Sequence, residues 1–178
     1  MATQQIVLLI VNIIGGAAVI GSYIYGFSSQ PGGANVLWGG VSESIRPVYF
    51  VSMILSAIGY FLFFYYILFR LSPSEVTIAN TFGFSLFFAI FILILLPSAL
   101  WMPLTNLYVG APSTGTWVIV RIILALVGIG SIALVWALLS LQTREGVVYW
   151  MAVAGSGYFA FHTAILDAIV WAALFRTT

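Results

Sequence analysis

Two ionisable side chains lie in the longest apolar run of the sequence, between Val148 and Phe175. They are His162, the only histidine of the chain, and Asp167, its only aspartate. Because a charged group is costly inside a bilayer, an ionisable residue in a membrane span is a candidate functional residue. Five residues along an α-helix correspond to about 140° of rotation, so we expect these two side chains to face different directions. This spacing argues against a His–Asp catalytic dyad within the helix.

His162 therefore has two open roles. It can hydrogen-bond to a neighbouring helix, or it can contact a ligand in a central cavity. The second role includes that of a single axial ligand to a metalloporphyrin.

Arg121 is the charged residue expected to meet Asp167. It lies four residues after Trp117, at the start of the fourth apolar run. A tight turn joins the fourth and fifth runs, so they are expected to be antiparallel neighbours with Arg121 within reach of Asp167. Three roles are open for this pair: a structural ion pair between helices, the rim of a ligand cavity, or a proton relay.

The composition places these residues in a membrane protein. The chain is 63% hydrophobic and 5% charged, with a mean hydropathy of +1.18, whereas soluble domains carry about 25% charged residues. The absence of lysine argues against a nucleic-acid surface. The absence of cysteine excludes disulfides and thiol chemistry, and a single histidine cannot build a multi-histidine zinc site. We therefore expect the lipid bilayer as a partner and assign neither a metal site nor a particular organelle.

Five apolar runs are long enough to cross a bilayer as helices. They cover residues 6–27, 47–69, 78–100, 117–141 and 148–175. The sequence thus predicts an all-α fold, a single domain over residues 1–178 that forms an integral membrane bundle of five transmembrane helices. Pro97 is expected to kink or break the third helix near its end. The apolar Leu37 and Trp38 indicate that part of the long first loop either folds back on the bundle or lies in the membrane interface.

Small residues recur within these runs, as in Gly128, Gly130 and Ser131 or in Gly155, Ser156 and Gly157. Small side chains let transmembrane helices approach closely, so we expect them to form packing surfaces, including one for a possible homodimer. In the first run, Asn12 is expected to hydrogen-bond across a helix interface.

The chain also contains six Trp, nine Tyr and fourteen Phe residues. Membrane anchoring and core packing explain such a content, and so does an aromatic cavity for a flat apolar ligand. The segment from Arg46 to Val51 also matches an inverted sterol-recognition pattern.

Three segments resemble the translocator protein family, also called tryptophan-rich sensory proteins (TspO). Pro47-Val48-Tyr49 is similar to the opening of that family's second span. Leu100-Trp101-Met102-Pro103-Leu104 is similar to the end of its third span, with Ser98 where the family has asparagine. Tyr158-Phe159-Ala160-Phe161, followed by Trp171, resembles its fifth span. The resemblance implies a five-helix bundle, often dimeric, that binds porphyrins, sterols or similar ligands in a cavity under the first loop.

The resemblance also implies a set of ligand-binding residues, with the two charged residues at one rim: Trp38, Tyr49, Trp101, Tyr158, Phe161, His162, Arg121 and Asp167. The function that follows is binding or transport of a hydrophobic ligand such as a porphyrin, haem or a sterol, without a catalytic residue. Two alternatives stay open. The protein can be a membrane-embedded enzyme or isomerase that uses His162 or Asp167 as an acid or base, or it can be a structural subunit of a membrane complex.

Overall fold

The computed structural model describes residues 1–29 and 33–175. Five long helices account for most of this part of the chain: α1 (Thr3–Ser29), α2 (Arg46–Phe69), α3 (Ser85–Gly110), α4 (Thr114–Leu139) and α5 (Val147–Leu174). Each is long and apolar enough to cross a membrane. No β-strand occurs in the described ranges, where only isolated β-bridges are present. The predicted all-α bundle of five transmembrane helices is confirmed.

The spatial order of the helices differs from their order along the chain. Helix α1 packs along α3, α3 along α4, α4 against α5, and α5 against α2. The contact between α1 and α2 is small by comparison. The bundle is therefore a ring that is tightly packed everywhere except between its first two helices.

Glycines set the closest helix contacts. A Cβ atom built on Gly155 of α5 would lie only 2.8 Å from the carbonyl oxygen of Gly59 of α2. A Cβ atom on Gly128 of α4 would lie 3.0 Å from the Cα atom of Ala164 in α5. Backbones that approach this closely leave no room for a larger residue. The predicted packing roles of Gly128 and Gly155 are confirmed.

The third span begins later than residue 78, so this part of the prediction is wrong. Helix α3 starts at Ser85, and the preceding residues form a turn in which Ile78 makes bridges to Phe82 and Leu141. Ala79 and Asn80 have φ angles of 49° and 59°. A right-handed helix cannot pass through such backbone angles.

The third span also ends later than residue 100, and it does not break at Pro97. Helix α3 runs through Pro97 and Pro103 as far as Gly110. Prolines are tolerated inside transmembrane helices because Ser and Thr side chains and neighbouring helices supply alternative hydrogen bonds. Pro97 leaves the Leu93 carbonyl without its helical donor, and next to it the Ser98 hydroxyl donates to the Ile94 carbonyl oxygen at 2.7 Å.

The first loop returns to the bundle, which is one of its two predicted positions. A 3₁₀ segment, Gly33–Trp38, places Leu37 in a buried position. The indole Nε1 of Trp171 donates to the Leu37 carbonyl oxygen at 3.1 Å, and the amide of Gly40 donates to the carbonyl of Leu174 at 3.0 Å. The loop thus covers the C-terminal end of α5.

Helix α5 has two parts with different winding. Val147–Ala160 is α-helical, whereas Phe161–Trp171 is a π-helix and is followed by one α-helical turn. Both His162 and Asp167 lie in the π-helical part. A π-helix of this length is unusual, because most π-helical segments are single turns and many of them occur at functional sites.

Candidate ligand cavity

A cavity of about 380 Å³ lies inside the bundle, and all five helices contribute to its wall. Its wall includes members of two hydrophobic clusters, one around Phe63 and Phe91 and the other around Tyr49 and Tyr108. Most of the lining side chains are apolar, and hydroxyl, imidazole and carboxyl groups from four of the helices interrupt them. The polar and aromatic side chains of the wall are Tyr23, Ser56, Tyr60, Phe61, Ser98, Trp101, Phe159, His162, Thr163 and Asp167.

The π-helix brings His162 and Asp167 together on this wall. The Nε2 atom of His162 lies 3.6 Å from Oδ2 of Asp167. The expectation that the two side chains face different directions is wrong, because it assumed α-helical winding. In a π-helix the backbone hydrogen bonds join residues five apart, so residues at this spacing lie one above the other on the same face.

Helix α2 supplies the other partner of the imidazole. The Ser52 hydroxyl lies 2.9 Å from Nδ1 of His162 and accepts a hydrogen bond of 3.1 Å from the Tyr158 hydroxyl. Since Ser52 accepts from Tyr158, its own proton is available for Nδ1. A neutral imidazole then carries its proton on Nε2, the nitrogen that faces Asp167. The chain Tyr158–Ser52–His162–Asp167 is a continuous polar line that ends in the cavity.

Asp167 lies at the cavity end of this line. Its side chain is 25% exposed, and it lines the cavity. Across the described residues no hydrogen-bond donor contacts its carboxylate, and its ion-pair contact is with His162. The carboxylate therefore faces the cavity without a fixed cation beside it.

Arg121 does not pair with Asp167, contrary to the prediction. Within the described ranges, the ion pairs are Arg46 with Glu43 and His162 with Asp167. Arg121 lies on an exposed face of α4, where it borders a shallow cleft together with Ala168. The π-helical winding directs Asp167 into the bundle, whereas Arg121 faces outwards.

Trp101 lines the cavity beside two other aromatic rings. Its ring centroid lies 5.6 Å from that of Tyr23 and 5.4 Å from that of Trp171. Its Nε1 atom is buried and has no hydrogen-bond partner among the residues that the structure describes. A buried donor without a partner costs about 1–3 kcal/mol, so an acceptor that reached Nε1 would stabilise the protein.

The remaining residues implied by the family resemblance lie outside the cavity wall. Tyr49 is buried and donates from its hydroxyl to the Leu166 carbonyl oxygen at 3.0 Å, so it ties α2 to the π-helix. Trp38, at the end of the 3₁₀ segment of the first loop, packs edge-on against Tyr49 and Phe50 of α2. Phe161 is 46% exposed and does not line the cavity. Tyr158 does not line the cavity either, but its hydroxyl donates to Ser52, the partner of His162.

Several lining residues were not in the predicted set. Ile20 of α1 and Phe61 of α2 line the cavity, yet they are 64% and 68% exposed. The cavity therefore reaches the outer surface of the bundle between α1 and α2, where the two helices make little contact.

Tyr60 links these helices next to the opening by donating from its hydroxyl to Oδ1 of Asn12 at 2.5 Å. This bond confirms the predicted interhelical role of Asn12.

A metalloporphyrin bound through its metal would have to use Nε2 of His162, because Nδ1 is hydrogen-bonded to Ser52. The imidazole proton would then lie on Nδ1 and be donated to Ser52, and the metal would compete with Asp167 for Nε2. The described residues also contain no group of three or more His, Cys, Asp or Glu side chains that could hold a metal ion.

Comparison with known proteins identified no relative. No protein-family model matches the chain, and neither a curated protein nor a solved structure matches it significantly. The five long apolar helices and the aromatic clusters are those of a multi-pass membrane protein.

Proposed function

We propose that this protein binds a small, mainly apolar ligand in the cavity, as a carrier or sensor of that ligand. The observation that carries the proposal is the cavity itself, which all five helices line and whose mainly apolar wall contains a few polar groups. Small-molecule sites typically occupy about 300–1,000 Å³ and combine apolar walls with a few polar groups. With about 380 Å³, the cavity favours a ligand near the lower end of that range.

Aromatic side chains support a ligand with a flat ring system. Tyr23, Tyr60 and Trp101 come from three different helices and all line the cavity. Aromatic rings favour offset or edge-to-face contacts with other rings. The resemblance to the translocator family favours the same class of ligand, namely flat and mainly apolar molecules.

The opening between α1 and α2 supports entry from the bilayer. Ile20 and Phe61 border this opening and are largely exposed on the apolar outer surface of the bundle. The first loop covers the other side, where Trp171 contacts both Trp101 and the Leu37 carbonyl. A ligand dissolved in lipid would therefore reach the cavity without crossing water.

Quenching of tryptophan fluorescence tests the proposal. Purified protein in detergent is titrated with a fluorescent sterol and, separately, with 9-anthracenemethanol, two uncharged ligands with flat ring systems. We expect saturable quenching at micromolar ligand, with a smaller amplitude and weaker affinity in Trp101→Phe. Trp150→Phe is the matched control, because it removes the same fluorophore from a side chain that is 57% exposed and outside the cavity wall.

Non-saturating quenching that is equal in the wild type and both variants would mean that the probes only partition into the micelle. That result would contradict the proposed ligand binding.

A second candidate function is proton transfer on an apolar substrate. The paired His162 and Asp167 on the cavity wall favour it, because a histidine oriented by a hydrogen bond can act as a general acid or base. The protein would be incubated with a membrane lipid extract in D₂O and the lipids analysed by mass spectrometry. Deuterium incorporation that requires Asp167, and is absent in Asp167→Asn, would favour this enzyme over a pure binding protein.

A further inference from the structure

We infer that the ligand is an amphiphilic cation, with a flat apolar body and a protonated amine that binds at Asp167. This inference rests on the proposed ligand-binding function and adds the charge of the ligand to it. Its basis is the distribution of charge around the cavity.

Asp167 is the only acidic residue within the five spans, since Glu43, Glu75 and Glu145 all lie in connecting segments. Among the described residues of the cavity wall, it is also the only charged side chain apart from a protonatable histidine. A charge inside a membrane span is normally paired, and an unpaired buried charge is strongly destabilising. Within the described part of the chain, no arginine lies within ion-pair distance of Asp167. The only ion-pair contact of Asp167 among these residues is His162, which is charged only when protonated, whereas a protonated amine in the cavity would supply a full positive charge.

The other groups around Asp167 are compatible with a cation. His162 presents Nε2 to the carboxylate at 3.6 Å, and its Nδ1 is held by Ser52. The rings of Tyr23 and Trp101 line the same cavity and meet at an interplanar angle of 61°. Aromatic rings attract cations within about 6 Å of their faces, most strongly when the cation has lost its water. A ligand amine could thus contact a carboxylate and two aromatic rings in one place.

The same wall disfavours an anion. A ligand carboxylate would need a cationic side chain in the wall, but Arg121 faces outwards and lines a separate cleft. Among the residues that the structure describes, no arginine lines the cavity. An acidic ligand would place a second negative charge next to Asp167, which is unfavourable in a medium of low dielectric constant. For ligands of equal shape, the affinity for the cavity should therefore be highest for a cation, lower for a neutral molecule and lowest for an anion.

Three probes with one ring system test this ranking: 9-(aminomethyl)anthracene, 9-anthracenemethanol and 9-anthracenecarboxylic acid. Their affinities are measured at pH 7 by fluorescence anisotropy, with the protein in phosphatidylcholine nanodiscs so that lipid charge does not bias the result. We expect the amine to bind about tenfold or more tightly than the alcohol, and the acid to bind most weakly. In Asp167→Asn, the amine should lose most of its advantage while the affinity for the alcohol changes little.

Glu145→Gln is the matched control, because it removes one negative charge from an exposed residue in the turn before α5. It should leave the ranking unchanged. Equal binding of amine and alcohol by the wild type, or an amine preference that persists in Asp167→Asn, would overturn the inference about charge. Ligand binding as such would still stand in both cases.

Absence of saturable binding by all three probes would contradict the proposed binding function as well. If Asp167→Asn does not fold, the ranking of the three probes by the wild-type protein still decides the question.

Discussion

The two parts of α5 use the same kind of apolar sequence in different ways. The α-helical part, Val147–Ala160, is packed so closely that Gly155 meets the backbone of Gly59. The π-helical part, Phe161–Trp171, carries the polar pair and lines the cavity. Within one span, regular winding gives helix packing and altered winding gives a site. Hydrophobicity alone does not distinguish the two parts.

Neighbouring helices accommodate the wider π-helix at specific positions. Gly128 of α4 faces Ala164, where even a methyl group would crowd the π-helical backbone. The Thr163 hydroxyl donates to Oγ of Ser131 at 2.8 Å, and Ser131 donates in turn to the Val127 carbonyl oxygen at 2.7 Å. These contacts with α4 hold the π-helix in place. The site is thus a product of packing between helices as well as of its own residues.

The largest effect is expected when the packed part of α5 is disturbed. Gly155→Ala places a Cβ atom 2.8–2.9 Å from backbone atoms of Gly59, so α2 and α5 must move apart. Overpacking of this kind typically costs about 1–3 kcal/mol, and we expect the upper end because the contact is with backbone. Thermal unfolding in detergent provides the measurement.

Gly157→Ala is the control for this variant, since nothing lies within 4 Å of a Cβ atom added there. It should leave the unfolding temperature unchanged or raise it slightly, because alanine favours helices over glycine. An equal loss of stability in both variants would show that the Gly59–Gly155 contact has no special role.

An intermediate effect is expected from filling the cavity. Gly16 lines the cavity and has open space around an added Cβ atom, so Gly16→Leu should occupy ligand volume without a clash. We expect ligand affinity to fall about tenfold or more, which corresponds to about 1.4 kcal/mol, while thermal stability changes little.

Gly21→Leu provides the comparison on the same helix. This position is equally open, but it does not contribute to the cavity wall. Retention of normal binding by Gly16→Leu would place the ligand elsewhere on the protein.

The smallest effect is expected from Ser52→Ala, which removes the hydrogen-bond partner of Nδ1 of His162. A buried polar atom left without a partner costs about 1–3 kcal/mol, and we expect about 1 kcal/mol because the Tyr158 hydroxyl lies only 3.1 Å from the Ser52 oxygen that is removed. The imidazole should also lose its preference for one tautomer. Nitrogen NMR of labelled histidine reports this directly, since the chain has a single histidine.

Ser98→Ala is the control, because its hydroxyl bonds to the Ile94 backbone within the same helix. It should leave the histidine spectrum unchanged. An unaltered spectrum in Ser52→Ala would exclude a role for Ser52 in orienting His162.

The sequence was sufficient for the fold class and for four of the five spans. The number of consecutive apolar residues needed to cross a bilayer is a local property, so it can be counted directly. The sequence was not sufficient to predict the start of α3, because Ala79 and Asn80 adopt left-handed backbone angles in the middle of an apolar stretch. The sequence also placed the end of this span at residue 100, whereas α3 continues through Pro97 and Pro103 to Gly110.

By itself, the sequence determined that this is a five-helix membrane protein with one histidine and one aspartate in its last span. Only the tertiary structure decided that these two side chains meet, that Arg121 faces away from them, and that a cavity opens between α1 and α2. The physical reason is that helix winding and helix order depend on contacts between distant segments, such as Ser52 with His162 and Gly128 with Ala164. These contacts leave no periodic pattern along the chain.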